Sequence, residues 1–339
     1  MKLIKTEDAV GHVLCHDMTQ IIKDQYQDAR FRKGHVVTEE DIPVLLSMGK
    51  EHLYVWEMTP GMVHENDAAE RLLALCGQEN MIRSGVKEGK IELKAACDGV
   101  FLVDSARLVA VNSQDEVMIA TRKGGTAVRE GDKLAGMRVI PLIIEEEKLR
   151  KAEQAAGDKP LLSLKPYVRK TACIVATGGE VKKGLIKDTF TPVVIDKLKT
   201  YGIETLEVVY SGDGVENVRD AVLAMREKKP DMILCTCGMS VDPDDNTPGG
   251  IKAAGANIIA YGAPVLPGAM FLLGYFDDGM PVMGLPGCVM YAGATVFDLM
   301  LPKIAADVSV TRADIAALGE GGLCLGCKPC HYPICPFGK

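Results

Sequence analysis

The sequence has no excess of basic residues. It contains 39 Lys and Arg against 46 Asp and Glu, which gives a formal net charge of −7. Proteins that bind nucleic acid or anionic membrane surfaces usually present a basic face, so this balance argues against both kinds of partner. The chain also lacks an apolar run long enough to span a bilayer, and the segment Met1–Asp8 has no apolar signal-peptide core.

Cysteine, in contrast, is abundant, with eleven residues. Without a secretory signal, this number is typical of a reducing compartment, where clustered thiols bind metals more often than they form disulfides. We therefore expect a soluble cytoplasmic protein.

The length of 339 residues predicts two or three domains. From Arg169 to about Ala306, apolar runs typical of strands alternate with amphipathic helical stretches. This alternation predicts an α/β fold of three layers, in which a mostly parallel sheet carries helices on both faces. The predicted divisions are a mixed α/β segment at 1–60, a helix with a β-rich accessory module and linker at 61–165, the α/β domain at 166–310, and a cysteine-rich tail at 311–339.

Small, hydroxyl-bearing and acidic residues follow the predicted strands of this domain. Because the carboxyl ends of parallel strands meet at one edge of a sheet, we expect these loops to form one ligand site, called the rim below. Backbone amides at Gly178, Gly179, Gly238 and Gly287 suit phosphate groups. Carboxylates suit Mg²⁺, and the candidates are Glu180, Asp213, Asp242 and Asp245. The alternative is that the glycines serve turns and the acids cap helices.

Four motifs resemble the domain shared by molybdopterin adenylyltransferase and molybdopterin molybdenumtransferase. They are Ala176-Thr-Gly-Gly-Glu-Val181, Cys237-Gly-Met-Ser-Val-Asp-Pro-Asp-Asp245, Asp245-Asn-Thr-Pro248 and Gly284-Leu-Pro-Gly287. The resemblance covers residues 171–306 and implies a ligand that is molybdopterin or its adenylated form. It also implies roles for Glu180, Asp213 and Asp245 in cofactor, metal or molybdate handling, and a homodimer or homotrimer. Together with Asp242, these acids are the predicted catalytic residues.

The ligand-binding positions that we predict are those of the strand-end loops. They are Thr177, Gly178, Gly179, Ser211, Thr236, Gly238, Ser240, Thr247, Pro286, Gly287 and Cys288.

The sequence departs from the family pattern at three places. A basic residue that would face the oxyanion is replaced by Ala269 within Pro267-Gly-Ala-Met270, and Cys237 and Cys288 replace a glycine and an asparagine. Cys288 at a helix start would be a favoured thiolate, or else a buried, inert thiol. Three functions therefore stay open: molybdate insertion into molybdopterin, non-catalytic delivery of the cofactor to a client molybdoenzyme, and hydrolysis of a nucleotide pyrophosphate.

The tail contains Cys324, Cys327, Cys330 and Cys335, with Gly321-Gly322 and Lys339 as the flanks of an expected flexible arm. The spacing approaches that of a bacterial ferredoxin but has a longer last gap, and four thiolates also satisfy tetrahedral zinc. We predict an iron–sulfur cluster or Zn²⁺ here, with a ligand-free or redox-active thiol cluster as the alternative. Such a tail hints at docking onto an iron–sulfur molybdoenzyme or at redox sensing.

Overall fold

The structure is a computed structural model that describes residues 2–22, 26–55, 60–240 and 245–339. The described residues form a mixed α/β protein, which confirms the predicted class. The helices are α1 (Asp41–Ser47), α2 (Glu65–Cys76), α3 (Ser105–Asn112), α4 (Glu146–Ala156), α5 (Gly179–Lys182), α6 (Phe190–Lys199), α7 (Val215–Arg226), α8 (Thr247–Ala253), α9 (Val296–Ala305) and α10 (Arg312–Ala316). None of the helices in these ranges combines the length and apolar character that a membrane crossing requires.

The strands before residue 170 are short. They are β1 (Lys2–Lys5), β2 (Met18–Ile22), β3 (Tyr26–Phe31), β4 (His52–Val55), β5 (Met62–His64), β6 (Met81–Arg83), β7 (Ile91–Ala95), β8 (Gly99–Val103), β9 (Val117–Thr121), β10 (Thr126–Val128), β11 (Lys133–Val139), β12 (Ile143–Glu145) and β13 (Leu162–Pro166). The later strands are β14 (Thr171–Thr177), β15 (Glu204–Ser211), β16 (Met232–Thr236), β17 (Asn257–Tyr261), β18 (Leu272–Tyr275) and β19 (Pro281–Leu285).

The chain divides into two compact units. The first comprises Met1–Ala96, Val103–Gly124 and Gly131–Ser163. It contains the antiparallel sheet β6-β7-β11-β9 and the strand pairs β1-β4, β2-β3 and β12-β5. Leu14, Leu45 and Leu53 are fully buried in an apolar cluster near its amino end.

The second unit comprises Cys97–Leu102, Gly125–Glu130 and Leu164–Lys339. Its main sheet has six strands in the order β15-β14-β16-β19-β18-β17. The pairs β15-β14, β14-β16 and β16-β19 are parallel, whereas β18 and β17 complete the sheet with antiparallel pairs. β10, β8 and β13 form a separate sheet.

Alternate residues of the central strand β14 enter two different apolar clusters. Ile174 is buried in the cluster that also holds residues of α6 and α9, whereas Val175 is buried with residues of α7 and α8. This alternation follows from the two-residue period of a strand, whose successive side chains point to opposite faces. Both faces of the parallel part are therefore apolar, and polar groups are left to the strand ends.

α9 begins later than the sequence pattern indicated. Pro286-Gly287 resembles a helix start, because proline is favoured in the first turn, and this pattern predicts that the last helix begins there. In the structure a short 3₁₀ turn occupies Gly287–Met290, and α9 starts at Val296. Thr295 and Asp298 form a reciprocal capping box at that start. The box satisfies the first N–H groups of the helix and so fixes its beginning.

Candidate functional site

The ends of the parallel strands bring the predicted loops to one edge of the sheet. In the register of the sheet, Thr177 of β14 pairs with Ser211 of β15. Thr236 of β16 pairs with Ala176 of β14 on one side and with Leu285 of β19 on the other. The loops after these four strands thus share an edge, as parallel topology requires. Pro286, Gly287 and Cys288 belong to the loop after β19.

A cluster of buried threonines forms the floor of this edge. The Thr177 Oγ1 hydroxyl donates to the Thr236 carbonyl at 2.8 Å and lies 3.1 Å from Thr247 Oγ1. All three threonines are at most 4% exposed. Gly238 has φ = +58°, and a Cβ at this position would overlap Thr247 Oγ1. The backbone of the loop therefore lies directly on the hydroxyl pair, which a residue with a side chain would prevent.

Two carboxylates close the loops by accepting backbone hydrogen bonds. Gly179 N–H donates to Asp213 Oδ2 at 3.0 Å, and Ser240 N–H donates to Asp245 Oδ2 at 2.8 Å. Gly178 N–H donates to the Ser211 carbonyl at 3.3 Å. Both amides are therefore engaged within the protein in this conformation, and phosphate binding by Gly178 and Gly179 stays a prediction.

Among the described residues, the acids of the rim do not form a group that could hold a magnesium ion. Glu180 and Asp213 are exposed, Asp245 is half-buried, and no group of three acidic, histidine or cysteine side chains able to hold a metal occurs among the described residues. Asp213 and Asp245 already use one oxygen each to close a loop. Asp242, the fourth predicted acid, lies outside the described residues.

The Cys237 thiol is partly buried in the rim, near three acidic side chains. The Cys237 backbone has φ = +67°, and burial raises the pKa of the thiol to about 11. The negative charges of Asp188, Asp245 and Glu180 contribute to this rise because they disfavour a nearby thiolate. At neutral pH the Cys237 thiol is therefore protonated and is a poor nucleophile.

Cys288 had two alternatives, a thiolate favoured by a helix start and a buried, inert thiol. Cys288 lies in the 3₁₀ turn after β19 and not at the start of α9. It is half-buried, and burial raises the pKa of its thiol. The alternative of a protonated, unreactive thiol is therefore favoured.

The tail is not a flexible arm but packs along its own unit. Leu266 N–H donates to the Gly322 carbonyl, and Cys324 N–H donates to the Leu266 carbonyl, both at 2.8 Å. Tyr332 OH donates to the Asp298 carbonyl at 3.0 Å, and Phe337 is 2% exposed. The four predicted ligands Cys324, Cys327, Cys330 and Cys335 are spread along this docked segment. Within the part of the chain that the structure describes, no three of them meet as a metal site.

Three rim residues were not singled out from the sequence. Asp188 Oδ1 accepts from the N–H groups of Phe190 and Thr191 at 2.9 and 3.0 Å, which caps α6. Its position two residues before an apolar helical stretch was the available signal. A Cβ placed on Gly212 would lie 3.8 Å from Lys182 Nζ, and Tyr261 OH donates to the Met239 carbonyl at 2.9 Å. Both contacts depend on loop packing, which has no local sequence signal.

Two family models match the chain. Residues 173–306 match the probable molybdopterin binding domain, and residues 3–57 match a domain of unknown function (DUF8806). No curated protein matches the chain significantly.

Several solved structures are similar to part of the chain. The protein CinA from Thermoplasma acidophilum is 18% identical, with 40% of this chain and 98% of that chain covered and a TM-score of 0.34. The molybdopterin biosynthesis enzyme MoaB from Thermus thermophilus is 16% identical, with 42% of this chain and 97% of that chain covered and a TM-score of 0.36. The molybdopterin biosynthesis Mog protein from Mycobacterium ulcerans is 23% identical, with 41% of this chain and 93% of that chain covered and a TM-score of 0.34.

The assignment of residues 173–306 to a family rests on the family model and the four sequence motifs, because the similarities to solved structures are too low to support it. The described residues of these motifs lie at the ends of the parallel strands and in the loops that follow them. Residues 173–306 are a divergent member of the molybdopterin-binding domain family.

Proposed function

We propose that the rim binds molybdopterin or its adenylated form and that the protein inserts molybdate into it during molybdenum cofactor biosynthesis. The observation that carries the proposal is the contact of Gly238 with the Thr177–Thr247 hydroxyl pair. This contact gives the rim a floor of polar groups at the carboxyl ends of parallel strands, where ligands of such sheets bind.

The chain's own residues would bind the ligand in three ways. The threonine hydroxyls offer buried donors and acceptors, which orient a ligand because they lose more when left unpaired than surface groups do. Lys182, exposed beside Gly212, offers a cation to a phosphate group. Asp213 and Asp245 hold the loops in position through Gly179 and Ser240, so that catalysis would depend on positioning of the reactants.

The experiment is an anaerobic calorimetric titration of the full chain with molybdopterin and with adenylated molybdopterin. Molybdate is then added, and release of AMP is measured. Binding followed by molybdate-dependent AMP release supports the insertion reaction. If neither form binds, the proposal is wrong.

A pair of isosteric variants tests the position of the ligand. Thr247→Val removes the rim hydroxyl but keeps its shape and should weaken binding roughly tenfold, since a lost hydrogen bond to a buried group costs about 1–3 kcal/mol. Thr205→Val is the matched control, because Thr205 lies at the opposite end of the sheet, paired with Ala172. Equal affinities of the two variants would place the ligand elsewhere.

A non-catalytic carrier for a client molybdoenzyme is the second candidate. It is favoured by Ala269, which is exposed and uncharged where the family pattern has a basic residue that would face the oxyanion. Tight pterin binding without AMP release would favour this role. Hydrolysis of a nicotinamide or flavin dinucleotide without pterin binding would instead favour a pyrophosphatase.

A further inference from the structure

The four cysteines of the tail have two different environments. Cys324 and Cys335 are half-buried and pack against the apolar cluster of α6 and α9. Cys327 and Cys330 are exposed. The sequence spacing does not distinguish the four cysteines. The packing, in contrast, defines an inner pair, Cys324 and Cys335, and an outer pair, Cys327 and Cys330.

The outer pair lies between two anchored parts of the tail. On the amino side, Leu323 forms a parallel bridge with Leu266, and Cys324 donates its N–H to the Leu266 carbonyl. On the carboxyl side, Tyr332 and Phe337 pack edge to face against each other and hold the segment to the unit. Between these anchors the chain bends at Lys328 and Pro329. The bend lies between Cys327 and Cys330 in the chain, while Cys324 and Cys335 pack against the apolar cluster of α6 and α9.

We propose that Cys327 and Cys330 form a reversible dithiol–disulfide site. Two residues separate the cysteines, as in the Cys-X-X-Cys motifs of thiol–disulfide chemistry, and both thiols are accessible. Cys324-Leu-Gly-Cys327 has the same spacing, but the backbone and side chain of Cys324 are both engaged in packing. The structure therefore favours the pair Cys327–Cys330 over the pair Cys324–Cys327.

The reaction is exchange with a low-molecular-mass disulfide such as glutathione disulfide. The Cys327 thiol loses its proton to solvent, and its thiolate attacks one sulfur of glutathione disulfide, which forms a mixed disulfide and releases one glutathione thiolate. The Cys330 thiolate, formed in the same way, then attacks the Cys327 sulfur and releases the second glutathione. Two protein thiols are oxidised, and one glutathione disulfide is reduced to two glutathione molecules.

The contacts of Cys330 connect this site with the loop after β19. A Cβ placed on Gly293 would lie 2.9 Å from both the Cβ and the Sγ of Cys330, so Cys330 rests directly on Gly293. The Ala292 N–H, next in the chain, donates to the Cys288 carbonyl at 2.9 Å. The proposed site therefore adjoins the loop after β19 through the contact between Cys330 and Gly293.

The test uses the full chain, purified anaerobically and equilibrated in buffers of increasing glutathione disulfide to glutathione ratio. Free thiols are alkylated under acid quench, and proteolytic peptides are analysed by mass spectrometry. We expect a disulfide between Cys327 and Cys330 that forms and disappears reversibly with the ratio. Zinc and iron are measured in the same samples.

Serine variants provide matched controls. Cys327→Ser and Cys330→Ser should abolish the disulfide, whereas Cys324→Ser and Cys335→Ser should leave the midpoint ratio within about threefold, because the inner thiols take no part in the exchange. The proposal is overturned by a disulfide that includes Cys324 or Cys335, by absence of any disulfide, or by stoichiometric metal that protects all four thiols from alkylation.

Discussion

Substitution of Gly238 by alanine tests the close packing of the Gly238 backbone against the hydroxyls of Thr177 and Thr247. Gly238 has φ = +58°, a conformation that residues with a Cβ adopt at a cost. The added Cβ would overlap Thr247 Oγ1 and lie 3.1 Å from Thr177 Oγ1. Both hydroxyls are buried, and Thr177 also donates to the Thr236 carbonyl. The substitution therefore combines backbone strain with a clash against atoms that have little room to move.

The two contributions have known magnitudes. The left-handed conformation costs an alanine about 1–2 kcal/mol, and overpacking of a buried site costs about 1–3 kcal/mol. We expect Gly238→Ala to lower the free energy of unfolding by about 2–5 kcal/mol, the sum of these two ranges. Gly202→Ala is the matched control, since Gly202 has φ = +67° but meets only the end of the flexible Lys170 side chain, at 3.8 Å. It should show the backbone contribution alone.

Urea unfolding followed by circular dichroism measures both variants against the wild type. Thr247→Ala should restore part of the stability of Gly238→Ala, because it removes the overlapping oxygen, so that the two changes are less than additive. The reasoning is refuted if Gly238→Ala costs no more than Gly202→Ala, or if the double variant shows full additivity. Either result would mean that the loop moves away from the threonines at no cost.

Three further predictions concern the cap, the rim thiol and the tail. Asp188→Ala should lower the free energy of unfolding by about 1 kcal/mol through loss of the α6 cap. Burial raises the Asp188 pKa, but hydrogen bonds from Thr191 and Phe190 outweigh it and lower the pKa. The wild type should therefore exceed Asp188→Ala in free energy of unfolding by the full amount above about pH 4, and this difference should disappear as the pH falls through the lowered pKa of Asp188. A stability difference that persists in stronger acid would contradict this prediction. The Cys237 thiol should resist alkylation by iodoacetamide at neutral pH and react faster as the pH approaches about 11, its raised pKa. Mass spectrometry measures the labelling, and rapid labelling of Cys237 at neutral pH would contradict the raised pKa. Tyr332→Phe, which loses the bond to the Asp298 carbonyl, should cost about 1 kcal/mol in urea unfolding and speed tryptic cleavage of the tail, whereas unchanged values would show that the hydroxyl does not hold it.

The predictions from sequence were accurate where periodicity was strong. The alternation of apolar runs and helical stretches from Arg169 to about Ala306 predicted the strands of this region, among them β14, β16 and β19, because buried strands consist almost entirely of apolar residues. The four motifs of the second unit were recognised because they combine glycine, proline and acids in a fixed order. The start of α9 was missed, because Pro286-Gly287 and Thr295 both resemble helix starts locally. The reciprocal Thr295–Asp298 capping box then decided between them.

Local composition was thus sufficient for the mixed α/β class, the strand-end loops and the family of residues 173–306. Contacts between distant residues decided what those loops can do. The hydrogen bond of Gly179 N–H to Asp213 and the placement of Gly238 against Thr177 join residues that are far apart in the chain. The division of the tail cysteines into two pairs depends in the same way on burial against α6 and α9. Burial and pairing of this kind depend on the packing of segments far apart in the chain, which no local pattern specifies.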